Sequence, residues 1–304
     1  MPPATVLEPM ADDPDAAVTV GLVAQRANER AHELAAALQE GLESQAAVLD
    51  VVLDELTASA LSVSGRPVAA MSDCDLVVSI GGDGTLLFVA REVSDTPILG
   101  VNLGEVGFLN AVAPGDALDV VPEIVSQLQT SEGLETQRRT LRRLTAMPVA
   151  NSTEPTTDSW TLDPALNEIV VHGPRRGHGG GATITVEVDG RQYVDGHADG
   201  VLVTTPTGST AYNLSEGGPL VHPDSESLVV TQMAATDGRP PLVVDADATV
   251  TVTVDDADSA FVISDGRDRQ QLEPPASVTI ASADDPVTLV GPQSDFFAAL
   301  EKLE

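Results

Sequence analysis

Gly81-Gly82-Asp83-Gly84-Thr85 joins two apolar segments of different character. Upstream, Asp75-Leu76-Val77-Val78-Ser79-Ile80 reads as a buried strand, and downstream Leu86-Leu87-Phe88-Val89-Ala90 reads as the start of a helix. Glycines at a strand-to-helix turn let backbone N–H groups come close to an anion, because no Cβ stands in the way. A carboxylate at the centre of such a turn repels phosphate. Asp83 makes chemical sense there if it accepts a proton or holds a metal that bridges to phosphate. The turn therefore points to phosphoryl transfer. The alternative is a tight turn whose Asp caps the following helix.

Outward from this turn, strand and helix patterns alternate. Apolar runs at 16–24, 46–53, 75–80 and 97–102 read as strands, and 25–41, 84–93 and 117–129 read as helices, with Gly41 as a C-cap. Such alternation implies a parallel sheet flanked by helices. The pattern changes near Gln137. Beyond it, Thr183-Ile184-Thr185-Val186-Glu187-Val188 and Thr249-Val250-Thr251-Val252-Thr253-Val254 alternate with period two, and Asp189-Gly190 is a hairpin signal. The expected fold is an α/β N-terminal domain with a parallel sheet, followed by a mostly-β C-terminal domain. The boundaries read as a disordered acidic tail over 1–15, an α/β domain over 16–136 and a mostly-β domain over 137–287. A short amphipathic helix over 295–303 suggests that 288–304 packs back on the first domain.

Composition narrows the chemistry. The 304 residues carry 47 acidic and 15 basic side chains, a formal charge of −32, yet 42% of them are hydrophobic. The acids are scattered rather than blocked, which suits a surface kept hydrated in concentrated salt, where repulsion is screened. A cytoplasmic protein of a halophile is the reading that follows. This acidity opposes nucleic-acid binding, which needs a basic footprint. No run approaches the ~20 apolar residues of a membrane span, and the first residues lack the pattern of a signal peptide. The single cysteine, Cys74, precludes an intrachain disulfide and reads as a packing residue. Lys302 is the one lysine, which excludes a Walker A loop and an interior Schiff base. Bound phosphate must be held by backbone amides, hydroxyls, arginine or a metal.

Other segments carry polar groups where ligands gather. Asn102-Leu103-Gly104-Glu105-Val106-Gly107-Phe108-Leu109 follows a parallel strand directly, as the glycine turn does, so both loops sit at the carboxyl ends of strands. Phe108 suits either a cover for a planar base or core packing. Thr204-Thr205-Pro206-Thr207-Gly208-Ser209-Thr210-Ala211-Tyr212 places hydroxyls and amides where a helix starts, fit for sugar or phosphate oxygens or for a helix cap. Asn167-Glu168, ahead of Ile169-Val170-Val171, offers an amide beside a carboxylate for a nucleoside, or a polar strand entry. Arg175 and Arg176 lie in a glycine-flanked loop over 173–181 and suit a phosphate or a plain surface.

In this order, the glycine turn, the Asn102–Leu109 loop, Asn167-Glu168 and the segment from Asp199 to Tyr212 resemble NAD kinases. The resemblance spans roughly 75–240. The glycine turn is similar to that of diacylglycerol and sphingosine kinases, which share the superfold, whereas the Thr-Pro-Thr-Gly-Ser-Thr-Ala-Tyr string resembles NAD kinases specifically. The resemblance implies transfer of a phosphoryl group from ATP, or from polyphosphate, to the 2′-hydroxyl of the adenosine ribose of NAD. It implies Mg²⁺ or another divalent metal with ATP, and a homodimer or homotetramer. By the same resemblance Asp83 is the catalytic base, while Gly82, Gly84 and Thr85 lie against phosphates and Phe108 sits near the adenine. Asn167 and Glu168 hydrogen-bond the dinucleotide, and Asp199 contacts the nicotinamide ribose. Thr210, Ala211, Tyr212 and Ser215 line the adenosine site, with Ala234 beside it. The family commonly has Arg-Gly where this chain has His197-Ala198, before Asp199-Gly200, which leaves a polar role in the cleft to His197. Two alternatives stand beside this reading. A lipid kinase of the same superfold predicts apolar surface for a lipid tail, and a non-catalytic NADP-binding sensor is opposed by the intact Asp83.

Overall fold

The computed structural model describes residues 18–45, 48–93, 95–104, 107–128, 137–149, 160–175 and 180–303. The expected tail over 1–15, Glu105, Val106, Gln129 and Arg176 lie outside the described residues. The chain forms two compact units, one of residues 1–140 with 287–304 and one of 141–286.

The first unit is built on the strands β1 (Val18–Ala24), β2 (Val48–Leu53), β3 (Leu76–Gly81), β4 (Ile98–Asn102) and β5 (Arg138–Leu141), together with β17 (Val287–Val290) from the far end of the chain. They lie in the order β2-β1-β3-β4-β17-β5. The pairs β1–β2, β1–β3, β3–β4 and β4–β17 are parallel. Every residue of β3 is buried, as expected of a strand covered on both faces, which is why its sequence is apolar apart from Ser79. The helices are α1 (Glu29–Glu43), α2 (Glu55–Leu61), α3 (Asp83–Glu92) and α4 (Ala117–Leu128). In α1, Ala31, Ala35, Leu38 and Leu42 recur at helical spacing and are buried in the core that this sheet shares with α4.

Two local outcomes differ from the sequence reading. Helix α1 starts four residues later than its apolar pattern suggests, because the Gln25 N–H still bonds the Ile80 carbonyl and Asn28 then supplies the N-cap. Gly41 lies inside α1 rather than capping it, and Ser44 is the C-cap. Helix α2 has no counterpart in that reading. Its N-cap is the buried Asp54, which accepts the N–H groups of Leu56 and Thr57.

The second unit holds two antiparallel sheets. One has the order β12-β11-β10-β7-β14-β15 and the other β6-β16-β13-β8-β9. The first contains β7 (Glu168–His172), β10 (Gly200–Thr204), β11 (Ser227–Met233), β12 (Leu242–Asp245), β14 (Ala260–Ser264) and β15 (Asp268–Leu272); the second contains β6 (Leu144–Pro148), β8 (Ala182–Val188), β9 (Arg191–Ala198), β13 (Val250–Asp255) and β16 (Ala276–Ser282). Alternate residues such as Ile169, Val171, Val201 and Val203 from one sheet and Ile184, Val186, Val250 and Val252 from the other fill a common core. Asp189-Gly190 turns β8 into β9 with φ of 49° and 73°, the left-handed pair that a two-residue hairpin requires. Asp265-Gly266 repeats the left-handed pair, with φ of 44° and 67°, within the three-residue loop between β14 and β15.

Candidate active site

In the first unit the glycine turn closes β3 and opens α3. Gly81 is needed for packing, since a Cβ there would fall 2.5 Å from Thr85 Oγ1 and 2.9 Å from Gln25 Cβ. Gly82 and Gly84 are different: a Cβ on either would meet open space, so packing against the described residues does not require glycine at these positions. Gly82 is the N-cap of α3 and has extended backbone. Asp83 does not cap that helix. Its Oδ2 accepts the Phe108 N–H at 2.8 Å, and its Oδ1 accepts the N–H of Leu109 at 3.2 Å, the N–H of Asn110 at 3.4 Å and the Asn110 Nδ2–H at 3.1 Å. The helix-cap alternative therefore gives way to a carboxylate that ties the glycine turn to the loop after β4. The same loop is buttressed from behind. Ser294 Oγ donates to the Phe108 carbonyl at 2.7 Å, and the Phe108 ring packs on Phe296 at 5.9 Å between centroids. Thr85 is half-buried in the first turn of α3, one turn from Gly82.

In the second unit three segments converge where β7 begins. The Thr205 N–H donates to the Asn167 carbonyl at 2.9 Å and the Thr205 hydroxyl to the Leu166 carbonyl at 2.6 Å. Gly208 lies against the Asn167 backbone so closely that a Cβ would sit 2.5 Å from its carbonyl carbon. The third segment is the tip of the β14–β15 hairpin, where Asp265 Oδ2 accepts Leu166 N–H at 2.8 Å and Oδ1 accepts Asn167 and Glu168 N–H at 2.8 and 3.1 Å. Asp265 is missing from the sequence reading. Its Asp-Gly dipeptide between two alternating segments was the available signal, identical to the one at 189–190.

Glu168 is buried, with 6% of its surface exposed. Burial pushes its carboxyl up to about 8, and the neighbouring Asp265 charge adds to the shift. Thr210 is half-buried, and its hydroxyl donates to the Thr207 carbonyl at 3.4 Å. The hydroxyls of Thr205 and Ser209 are engaged inside the protein, so fewer face outward than the string suggests. Asn213 holds this segment in place. It is fully buried, donates to the carbonyls of Ser209 and Pro219 at 3.2 and 2.9 Å, and accepts the Thr231 hydroxyl at 2.8 Å. Ala211 starts the one-turn helix Tyr212–Ser215, in which Tyr212 packs on Val170, Leu202 and Met233, and Ser215 is exposed.

His197, Asp199 and Ala234 form a separate group. The Asp199 N–H donates to the Met233 carbonyl at 2.9 Å, and the Thr236 N–H to the His197 carbonyl at 3.1 Å. His197 Nε2 lies 2.9 Å from the Gly180 carbonyl, and Arg175 is exposed in that same loop. Ala234 is exposed and left-handed, with φ of 47°, a strained backbone for a residue with a Cβ. Asp199 and Thr205 flank the five residues of β10, so at ~3.4 Å per residue these two residues stand roughly 20 Å apart, and Tyr212 lies over the face between them, packed on Leu202 and Met233. One unit thus brings Asn167, Glu168 and Thr210–Ser215 together and places His197, Asp199 and Ala234 at the other end of the strand. Cys74 is buried, its thiol pushed up to about 11 chiefly by burial and next by Asp75, as befits a packing residue. Among the described residues no three His, Cys, Asp or Glu side chains cluster as metal ligands, and no helix is long and apolar enough to cross a membrane.

Comparison with known proteins identifies the family and the fold. The ATP-NAD kinase N-terminal domain matches residues 20–128, and the ATP-NAD kinase C-terminal domain matches 166–291. The NAD kinase of Haloarcula marismortui is 53% identical over 295 residues, covering 94% of this chain and 100% of the relative. That of Halorubrum lacusprofundi is 53% identical over 286 residues, covering 93% and 99%. Among solved structures, yeast NADH kinase complexed with NADH superposes with a TM-score of 0.79 at 20% identity, over 94% of this chain and 87% of that one. An NAD kinase from Archaeoglobus fulgidus in complex with ATP gives 0.70 at 24% identity, over 94% and 100%. These two carry the fold, an α/β domain with a parallel sheet joined to a domain of antiparallel sheets. With both family domains matched in order and half of its residues shared with full-length relatives, the chain belongs to the NAD kinase family.

Proposed function

We infer that this chain is an NAD kinase, moving a phosphoryl group from ATP or polyphosphate to the 2′-hydroxyl of the adenosine ribose of NAD to give NADP. The observation that carries the reading is Asp83, a carboxylate fixed by four donors between two glycines that face open space. In the transfer, the ribose oxygen forms a bond to the phosphorus of the terminal phosphoryl group while that phosphorus loses its bond to the bridging oxygen of the donor. The hydroxyl proton goes to Asp83. A positioned base of this kind contributes about 10²–10⁴-fold, and alignment and charge neutralisation supply most of the rest.

The donor's phosphates lie against the N–H groups of Gly82 and Gly84 and beside Thr85, whose own N–H bonds the Gly82 carbonyl, where the amino end of α3 favours negative charge. Phe108 covers the adenine. Asn167, Glu168, Thr210, Ala211, Tyr212 and Ser215 hold the acceptor nucleotide from one end of β10, and His197, Asp199 and Ala234 contact it from the other. A homodimer or homotetramer is the expected assembly. With no cluster of three protein ligands among the described residues, a magnesium ion fits as a partner of the donor's own phosphates, neutralising their charge when bound. The scattered acids and the single lysine support cytoplasmic work at high salt.

The test is a matrix of donors (ATP, polyphosphate) against acceptors (NAD, NADH, diacylglycerol) with Mg²⁺ in molar KCl. NADP formation that Asp83→Asn lowers by about 10²-fold or more supports the reading. Absence of NADP with every donor, or an unchanged rate in Asp83→Asn, overturns it.

A further inference from the structure

We propose that Glu168 binds the acceptor nucleotide as a neutral carboxylic acid, donating a hydrogen bond to an acceptor atom of the nucleoside, and that its burial, reinforced by Asp265, keeps it neutral. The inference rests on the reading that Asn167-Glu168 contacts the acceptor. A buried carboxyl group beside a second, partly buried carboxylate does not readily ionise as well. Asp265 accepts three backbone N–H groups, from Leu166, Asn167 and Glu168, and each favours its charged form. Glu168 has no such support. It is 6% exposed, and among the described residues no arginine, lysine or histidine pairs with it. The charge therefore stays on Asp265 and the proton on Glu168.

The hydrogen bonding leaves that proton available. Among the described residues neither the buried Glu168 Oε2 nor the buried hydroxyl of Thr204, which stands opposite on β10, has a hydrogen-bond partner. Such atoms cost free energy when they stay unpaired, and a ligand that engages the acid recovers it. The other neighbours bring no compensating charge. Strand β10 and the Thr205–Thr210 loop present hydroxyls and amides, and the β14–β15 hairpin presents Asp265 with an exposed Arg267. On β7 itself the next titratable group on that face is His172, four residues further on. Burial and the Asp265 charge both raise the Glu168 carboxyl, to about 8, so the acid form prevails at neutral pH.

The pH profile of the intact enzyme decides the matter. With the group titrating near 8, KM for NAD rises about tenfold between pH 7 and pH 9 while kcat changes less than about twofold. Glu168→Gln, which keeps a donor and cannot ionise, binds NAD within about threefold of the parent at pH 7 and has a flat profile. Asp265→Asn moves the rise to lower pH. A carboxylic-acid carbonyl band in the infrared, present at pH 7, lost on titration through pH 8 and absent in Glu168→Gln, reports the proton without turnover. A flat KM in the parent, or a folded Glu168→Gln that binds NAD more than about tenfold worse at pH 7, overturns the proposal. If no NADP forms at any pH, the kinase reading falls instead, and the infrared titration still judges the proton.

Discussion

The carboxylate of Asp83 accepts the backbone N–H of Phe108 at 2.8 Å, which fixes the first turn of α3 to a loop 25 residues further along the chain. One side chain thereby sets both its own position and the course of the Asn102–Asn110 loop. Asp83→Asn loses acceptor strength towards four donors, so it lowers stability by about 1–3 kcal/mol besides removing the proposed base. Thermal melting beside a rate measurement separates the two effects. A variant that melts like the parent while losing activity assigns the loss to chemistry alone.

The glycines divide by what surrounds them. Gly208→Ala drives a Cβ into the Asn167 backbone and is expected to cost several kcal/mol or prevent folding. Gly82→Ala meets open space and exchanges one N-cap for a poorer one, at a cost of about 1 kcal/mol or less. Its effect falls on the donor, with KM for ATP raised at least about tenfold. Melting curves and donor titrations on the two variants check the contrast.

Asp265→Ala leaves three backbone N–H groups around Asn167 without their acceptor. A loss of about 2–4 kcal/mol is expected, read by denaturant unfolding. Asp265→Asn retains one carbonyl oxygen and loses less.

Stability carries a pH signature of its own. The Glu168 carboxyl is raised in the folded protein, so folding takes up a proton between the unfolded value near 4.5 and the folded value of about 8. Its contribution is fully present below the lower limit and is lost as pH rises through the upper one, at up to about 1.4 kcal/mol per pH unit. Unfolding free energy therefore declines from pH 5 to pH 8 in the parent, and Glu168→Gln has a shallower slope. Denaturant titrations at several pH values measure this.

The charge of −32 is offset by few ion pairs: among the described residues the Arg66–Asp50, Arg142–Asp247 and His222–Asp224 contacts are all at the surface. Removing KCl restores repulsion over a longer screening length, so the melting temperature falls steadily from molar salt to about 0.1 M. A melting temperature independent of salt overturns this reading of the surface.

What the sequence disclosed depended on how local each cause was. Strands such as β3 were legible because burial on both faces demands an almost unbroken apolar run, and the β8–β9 turn because Asp189-Gly190 meets a local backbone need. Helix α2 escaped because seven residues give too short a period to see, although Asp54 marks its start. The donors to Asp83 and the clamp of Asp265 on Asn167 were illegible for a different reason. They join residues 25 to 99 positions apart, and nothing in either local sequence names the other.

Strand β17 has a consequence for biosynthesis. It lies between β4 and β5, yet it leaves the ribosome only after every strand of the second unit. Until residues 287–290 emerge, β4 keeps one open edge and β5 has no neighbour in the sheet. An exposed edge in a partly made chain invites pairing with other nascent chains. The second unit, continuous from 141 to 286, has all its strands before the first unit can close. The first unit is started before the second but cannot close its sheet until the second has been made, and a chain truncated before Val287 would leave the ribosome with the Asp83 half of the enzyme unsealed.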